Sequence, residues 1–412
     1  MENTTMVEDE TLLKGLRVID AGSWIAAPAA ATVMSDFGAE VIKLEPLEGD
    51  PLRHLAGANG TPECDHNYFW VLDGRNKRSL ALDLKAEAAR PIVDALVLSA
   101  DVLVTNFRAD IADRLGLGWT RLQALNPRLI YAHVTGYGDE GPEASRPGYD
   151  TTAWWSRSGL ADHVRNPGTR PALSAPGMGD HATAMTLFGG IMTALWARER
   201  TNRGRRVTTS LFANGLWSNG MMASMALCGA ELPIRDPEAG IVNALAVQYE
   251  THDGRWLQLT LLNEVREWPR LAQALGAERL LADPRFIDLD ARRANAVALH
   301  GELARLIHGL DSAAVRDILA NAGVPAAVLT TLADVATDAQ ALAADVLTDV
   351  EKPRPGWEQT INSPLWIEGA SKRAPAYAAA IGADTDALLG ELGFNTAARA
   401  ELAAAGVTNT PG

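Results

Sequence analysis

Short apolar runs alternate with amphipathic stretches through the first half of the chain. Leu16-Arg-Val-Ile-Asp20 reads as a strand, the loop Ala21 to Ala27 follows, and a helix runs to about Phe37. Pro28 suits the first turn of that helix, where a missing amide costs nothing. Gly38 ends it, and Val41-Ile-Lys-Leu-Glu45 is the next strand, giving a β-α-β unit with a crossover suited to a parallel sheet. After the loop-rich Pro46 to Gly74, Ser79 to Asp83, Asp101 to Thr105, Arg128 to Val134 and Val207 to Leu211 read as further strands. Helical patterns over Ala86 to Ser99 and Ile111 to Leu115 separate them. The alternation predicts an α/β fold, a Rossmann-like doubly wound parallel sheet with ligands beyond the carboxyl ends of its strands.

The texture changes after the apolar stretch Leu216 to Leu227. Val247 to Thr251 and Arg255 to Thr260 flank Asp253-Gly254 as a hairpin would, and Ala/Leu-rich helical sequence follows to about Gly323. Pro353 to Pro375 is punctuated by proline, and Thr385 to Ala405 holds two helices. The expected organisation is a large domain over 12–221, a smaller α+β domain over 222–330, and a segment 331–412 that returns to the large domain.

One helix stands out for what precedes it. Ala175-Pro-Gly-Met-Gly-Asp180 leads into a helical run from His181 to Arg200, whose Ala182, Met185, Phe188, Ile191, Met192, Leu195 and Trp196 recur as one buried face would. Asp180 is placed as the N-cap, where orphan amides and the helix dipole favour an ionised carboxylate. Gly177 and Gly179 leave room for another molecule to approach the backbone. A capping role alone also explains such an aspartate.

Composition narrows the classes. The chain has 412 residues, is 47% hydrophobic and carries a net charge of −14 without a basic block, which argues against nucleic acid as a partner. Two cysteines, Cys64 and Cys228, fit a reducing compartment, and the acidic Met1 to Thr11 lacks the parts of a signal peptide. No apolar run approaches the ~20 residues of a membrane span. A cytoplasmic protein is expected. No H-E-x-x-H, C-x-x-C or histidine cluster suggests a metal, and no G-x-G-x-x-G, P-loop or G-x-S-x-G supports hydride transfer, nucleotide hydrolysis or a serine nucleophile.

Taken in order, many short pieces resemble the family III CoA-transferases, a group that includes formyl-CoA:oxalate and carnitine CoA-transferases and, by descent, α-methylacyl-CoA racemases. The pieces are Leu13 to Asp20, Asp36 to Glu45, Gly49-Asp50 with Arg53, Asn76-Lys-Arg-Ser79 with Leu82 to Lys85, Asn106-Phe-Arg108 and Asp113 to Leu117. Asn126-Pro-Arg128, Gly136-Tyr-Gly138, Gly179-Asp180, Gly204-Arg205, Asp253-Gly254, Asp283 to Phe286 and the tail around Asp384 to Gly393 continue the series.

The resemblance implies an interlocked homodimer, an acyl-CoA and a carboxylic acid as substrates, and no tightly bound cofactor; coenzyme A enters as part of the substrate. It places the catalytic carboxylate on Asp180 and a helper acid on Asp150. It places CoA contacts on Trp24, Ile25 and Ala26, on Leu82 and Lys85, on Asn106, Phe107 and Arg108, and on Arg114. Lys85, Arg108 and Arg114 are the cations that the phosphates of CoA would need in an acidic protein. The position of the racemase histidine holds Tyr149, and the small-domain glutamate position falls on Asn263, both transferase-like. A tyrosine hydroxyl, with an ordinary pKa of about 10, is a poor base for an α-proton.

Departures from formyl-CoA transferase are also present. Its substrate-proximal Gln and Arg fall on Ile25 and Pro46, and its Gly-rich loop has no counterpart in Ala239 to Ala246. With Trp154 and Trp155, these changes point to a larger or more apolar acyl group than oxalate or formate. A racemase or epimerase of 2-substituted acyl-CoAs, and a CoA-binding regulatory protein without turnover, stay open as alternatives at this level.

Overall fold

The computed structural model describes residues 11–57, 61–231 and 240–409; most of the expected frayed N-terminus and Ala239 lie outside the described residues. The chain forms two compact units. One comprises the described residues within Met1–Arg165, Arg170–Leu232 and Gln340–Gly412, the other those within Asn166–Thr169 and Pro233–Ala339.

The first unit is built on a sheet whose strands are β1 (Arg17–Asp20), β2 (Glu40–Glu45), β3 (Lys77–Leu82), β4 (Val102–Thr105), β5 (Ile130–Thr135) and β6 (Arg206–Ser210). They run parallel in the order β3-β2-β1-β4-β5-β6, and the short Thr408–Asn409 strand pairs antiparallel with the outer edge of β3. Strand residues alternate between faces, so neighbours enter different cores. Val18 packs with α1 (Ala26–Asp36) and its surroundings, whereas Ile19 packs on the opposite side with Ile92 and Leu96. Burial on both faces is why the central strands β1, β2, β4 and β5 read as mostly apolar runs, whereas the edge strand β6 is polar and largely exposed.

Further helices of this unit are α2 (Tyr68–Asp73), α3 (Arg90–Ser99), α4 (Ala109–Leu115), α5 (Trp119–Leu125), α6 (Leu160–His163), α7 (Met178–Thr201), α8 (Leu211–Ser218) and α9 (Gly220–Leu227). The apolar stretch after β6 is thus a helix pair that stays with the first unit. The predicted buried face of α7 is rotated. Thr183, Ala184, Leu187, Phe188, Ile191, Ala194 and Leu195 face inward, while Ala182 is exposed and Trp196 is 68% exposed beneath the Arg200 guanidinium. Small residues pack against the alanine-rich α1, which is buried along its whole length; Phe188, Ile191 and Leu195 are buried as expected, Met185 and Met192 partly so, and Ala182 and Trp196 are not.

The second unit contains the expected hairpin, β7 (Gln248–Glu250) and β8 (Trp256–Leu259), paired with Tyr249 opposite Leu257. A strand not foreseen, β9 (Ala326–Val328), completes a three-stranded antiparallel sheet, and helices including Glu264–Ala274 and Ala296–His308 close its core. Among the described residues no helix is long and apolar enough to cross a membrane.

Candidate active site

Chain order reverses between β1 and β4, which are neighbours in the sheet but distant in sequence. Loops leaving a parallel sheet at such a point diverge and open a crevice. The loop after β1 is held there by charges buried beneath it. Asp20 lies 2.9 Å from the Lys77 ammonium and 3.7 Å from that of Lys43. Lys43 in turn donates to the Gly22 carbonyl at 2.6 Å and pairs with Asp50 at 2.7 Å. Asp50 accepts from the amides of Trp24 (3.2 Å) and Leu52 (2.9 Å), and Lys77 also donates to the Pro28 carbonyl (2.8 Å).

All four charged side chains are at most 2% exposed. Burial pushes the Asp20 carboxyl up, but Lys43 and Lys77 outweigh it and hold the group below its ordinary range. Burial likewise opposes the Lys43 ammonium and is outweighed by Asp20 and Asp50, which raise it. The product is a turn in which Trp24 takes a left-handed φ of 65°, a conformation that costs a large side chain about 1–2 kcal/mol. From the neighbouring strand, Asn106 accepts from the Ser23 amide at 2.9 Å and donates to its carbonyl at 2.7 Å.

The expected CoA contacts divide into groups. Trp24, Ile25 and Ala26 meet Asn106 at the switch point, with Ile25 and Ala26 packed into the core and Trp24 half-buried on it. Phe107 follows, its carbonyl accepting from His133 Nε2 at 2.8 Å. Burial keeps that histidine neutral, so Nε2 carries the proton and Nδ1 is left to accept from Arg206 at 3.2 Å. Arg108 and Arg114 are exposed and share Asp110, which Arg108 engages at 3.1 and 3.3 Å. Leu82 ends β3 and Lys85 follows it, with two strands, β2 and β1, between them and β4. The Leu82 side chain is in the core, so only its backbone faces outward chemistry, whereas Lys85 is exposed.

Across from the Trp24 loop stands the turn before α7. Its geometry corrects the expectation for Asp180. Gly177, at φ 76°, is the N-cap, and Asp180 is the third residue of the helix. No hydrogen bond reaches the Asp180 carboxylate among the described residues. Its pKa is pushed up to about 7, first by burial and then by the Asp150 charge, with Asp73 adding and His181 opposing. The helix dipole still favours the anion here, but desolvation and a like charge prevail. The group is therefore poised between its two forms at neutral pH.

The expected space at Gly179 is also taken: a Cβ there would stand 2.6 Å from Trp154 Cγ. Trp154 and Trp155 stack at 6.2 Å on a π-helical turn, Asp150–Ser156, that sequence patterning had not revealed. Turns of this kind often mark functional positions. Asp150 is 6% exposed; its Oδ1 accepts from the Thr151 amide at 2.7 Å, while its buried Oδ2, like Trp154 Nε1, has no hydrogen-bond partner among the described residues. Tyr149 sets its ring edge-to-face against Trp24 at 6.3 Å, and a Cβ on Gly177 would lie 3.3 Å from Ile25 Cδ1. Those two contacts join the loops into one site.

The buried charges escaped the sequence reading, although Lys43 in the middle of an apolar strand was a visible signal. So did His181, whose Nε2 lies 3.2 Å from Asp73. Chemically, the arrangement offers a partly desolvated carboxylate near a second one, beside the stacked Trp154 and Trp155.

Known proteins resemble this chain over nearly its whole length. The family model for CoA-transferase family III matches residues 13–385. The (R)-2-hydroxy-4-methylpentanoate CoA-transferase of Clostridioides difficile is 32% identical over 390 residues, covering 93% of this chain and 96% of that protein. The cinnamoyl-CoA:phenyllactate CoA-transferase of Clostridium sporogenes is 31% identical over 399 residues, covering 96% and 95%. A crystal structure of a CAIB/BAIF family protein from Brucella suis superposes with a TM-score of 0.81 at 28% identity, covering 93% of this chain and 100% of that one. The relatives' activities support CoA transfer between an acyl-CoA and an acid and do not favour the racemase alternative. By sequence and by fold, the chain is an enzyme of CoA-transferase family III.

Proposed function

We propose that the enzyme moves CoA from an acyl-CoA to a carboxylic acid through covalent intermediates on Asp180. The observation that carries the reading is the meeting of the Asp180 turn with the Trp24–Ala26 loop at the switch point. The ionised carboxylate attacks the thioester carbonyl, forming an acyl-aspartyl anhydride and releasing CoA thiolate. The thiolate then attacks the aspartyl carbonyl, which frees the donor acid and leaves an aspartyl-CoA thioester. An acceptor carboxylate attacks that thioester, and the thiolate returns to the new acyl group, regenerating Asp180. Each step trades acyl groups of comparable energy and replaces one hard displacement with easier ones. The first-turn amides of Gly179 and Asp180, which have no acceptor within the helix, would face the developing oxyanions. Arg108, Arg114 and Lys85 would meet the phosphates of CoA.

Ile25, Trp154 and Trp155 form an apolar wall, and two relatives act on branched or aromatic acids. The acyl group is accordingly read as branched or aromatic, not oxalyl or formyl. An interlocked homodimer is part of the same reading. Exposed Leu216, Trp217, Met221 and Leu227 on α8 and α9 present apolar surface that a partner chain would cover. Mass spectrometry after incubation with acyl-CoA and hydroxylamine tests the covalent route. A hydroxamate at Asp180 is expected; turnover that persists in Asp180→Asn would sink it.

A further inference from the structure

His181 has no part in the steps above, yet it is built into the site. Its ring lies 3.2 and 3.3 Å from the two oxygens of Asp73, the last residue of α2. Asp73 is 4% exposed, and the imidazole is the one hydrogen-bond partner of its carboxylate among the described residues. The anchor is itself fixed, because the Asp73 carbonyl accepts from the Thr32 hydroxyl of α1 at 2.5 Å. The other edge of the ring covers the turn: a Cβ on Gly177 would lie 3.4 Å from both Cε1 and Nδ1. The ring can donate its Nε2–H to this buried carboxylate, and the anion beside it favours the charged imidazole, in which Nδ1 carries a second proton.

We propose that His181, tethered to Asp73, is a positioning residue that pins the first turn of α7 to α2 and keeps a cation beside the nucleophile. The inference rests on reading Asp180 as that nucleophile. The charged groups facing this corner are few. The π turn supplies Asp150, α2 supplies Asp73, and α7 supplies Asp180 and His181; from β3 the Lys77 ammonium also attracts Asp73 but is paired with Asp20 at 2.9 Å. Arg75 lies behind Asp73 but is engaged with Asp36 of α1 at 2.7 Å. Burial works against the His181 imidazolium, but Asp73 and Asp180 outweigh it and raise its pKa. Among these groups His181 is the one that favours the ionised form of Asp180.

The test is the pH dependence of kcat/KM in the full-length enzyme, for wild type, His181→Gln, His181→Lys and Asp73→Asn. Removing a cation beside a carboxylate raises the pH at which it ionises. In His181→Gln the ascending limb should therefore move up by about one unit, a roughly tenfold loss at pH 6.5 that closes at high pH. His181→Lys keeps the charge and should hold the limb near its wild-type place. Asp73→Asn frees the ring to lose its proton but also removes a like charge from Asp180, so its limb should move up by less than that of His181→Gln. A loss equal at every pH, the same for Gln and Lys, would make the tether merely structural and overturn the inference. So would failure of both His181→Gln and Asp73→Asn to fold. Asp180→Asn is assayed alongside. If it turns over, the nucleophile reading fails; if it is inactive and the His181→Gln limb has not moved, only the role of His181 fails.

Discussion

The loop after β1 and the turn before α7 touch through Ile25 and Gly177, yet their charges are arranged in opposite ways. Beneath Trp24, two carboxylates and two ammonium groups are fully buried and mutually paired, and their spare valences hold the backbone of Gly22, Trp24 and Pro28. Around Asp180, three carboxylates (Asp180, Asp150 and Asp73) are brought together with one partly exposed imidazole opposing them, and one carboxylate oxygen of Asp150 is left without a partner among the described residues. The first region uses ionic groups to fix a conformation that a tryptophan would not choose. The second keeps its acid unsatisfied, which on the proposed mechanism would make ionised Asp180 a better nucleophile than a carboxylate in water. Rigidity on one side and stored electrostatic cost on the other are complementary parts of one site.

Replacing Asp180 by Asn breaks the contrast most severely. Transfer should fall by about 10⁴-fold or more, measured as thioester exchange between an acyl-CoA and an acid. Stability should move the other way. Because the folded-state pKa of about 7 lies above the ordinary carboxyl value, the folded protein holds a proton that the unfolded chain has released. The native state is therefore progressively penalised as pH rises from about 4 to 7. Asp180→Asn should melt like wild type at pH 3 and gain on the order of 1–2 kcal/mol at pH 8, after allowance for partial solvation. Equal melting curves at pH 8 would mean that the carboxylate is not strained.

On the Trp24 side the expectation reverses. Lys43→Met leaves Asp20 and Asp50 short of a counter-charge in the interior and should cost about 3–5 kcal/mol by urea unfolding. Lys43→Met combined with Asp50→Asn should recover part of that loss. An undiminished midpoint in Lys43→Met would show the network to be ornamental. The pH dependence also differs in sign: Asp20, held below its ordinary value, gives up its contribution as pH falls into the acid range.

How much of this was readable beforehand follows the same division. The central strands β1, β2, β4 and β5 were legible because each is a mostly apolar run buried on both faces, β3 from its alternating Ser79 to Asp83, and the hairpin from Asp253-Gly254. Asp180 itself was found through the order of short family motifs. Its environment was not. Burial and the approach of Asp150 depend on the π turn, and nothing in Asp150-Thr-Thr-Ala-Trp-Trp-Ser156 departs from ordinary helical composition. The N-cap was misplaced by three residues because Gly177 caps through backbone freedom, which leaves no polar signature. Lys43 was read as a strand residue, and Asp50 and Lys77 as parts of family motifs, since their pairing is a property of neighbouring strands and not of spacing along the chain.

A milder change separates the two contributions to the acid at Asp180. Asp150→Asn removes the like charge and leaves burial, the larger cause, in place. The ascending limb of kcat/KM should shift to lower pH, but by less than the distance to the ordinary value near 4. A limb that moves up instead would mean that Asp150 supports ionisation through a hydrogen bond.

A smaller effect on stability, and the most direct probe of the rigid side, is Trp24→Gly. Glycine removes the left-handed penalty of about 1–2 kcal/mol but adds roughly 0.5–1 kcal/mol of chain entropy. It also gives up an edge-to-face contact with Tyr149 worth about 0.5–1.5 kcal/mol. These terms nearly cancel, so the unfolding free energy should fall chiefly by the lost burial of a half-buried indole, about 1–2 kcal/mol. If the conformation is maintained to present the indole to the substrate, KM for the acyl-CoA should nevertheless rise several-fold while the pH profile set by Asp180 stays where it was. A variant with that loss of stability and an unchanged KM would show that the ion network fixes the loop for packing alone. A displaced pH profile would mean that the two regions are coupled through more than the contact between Ile25 and Gly177.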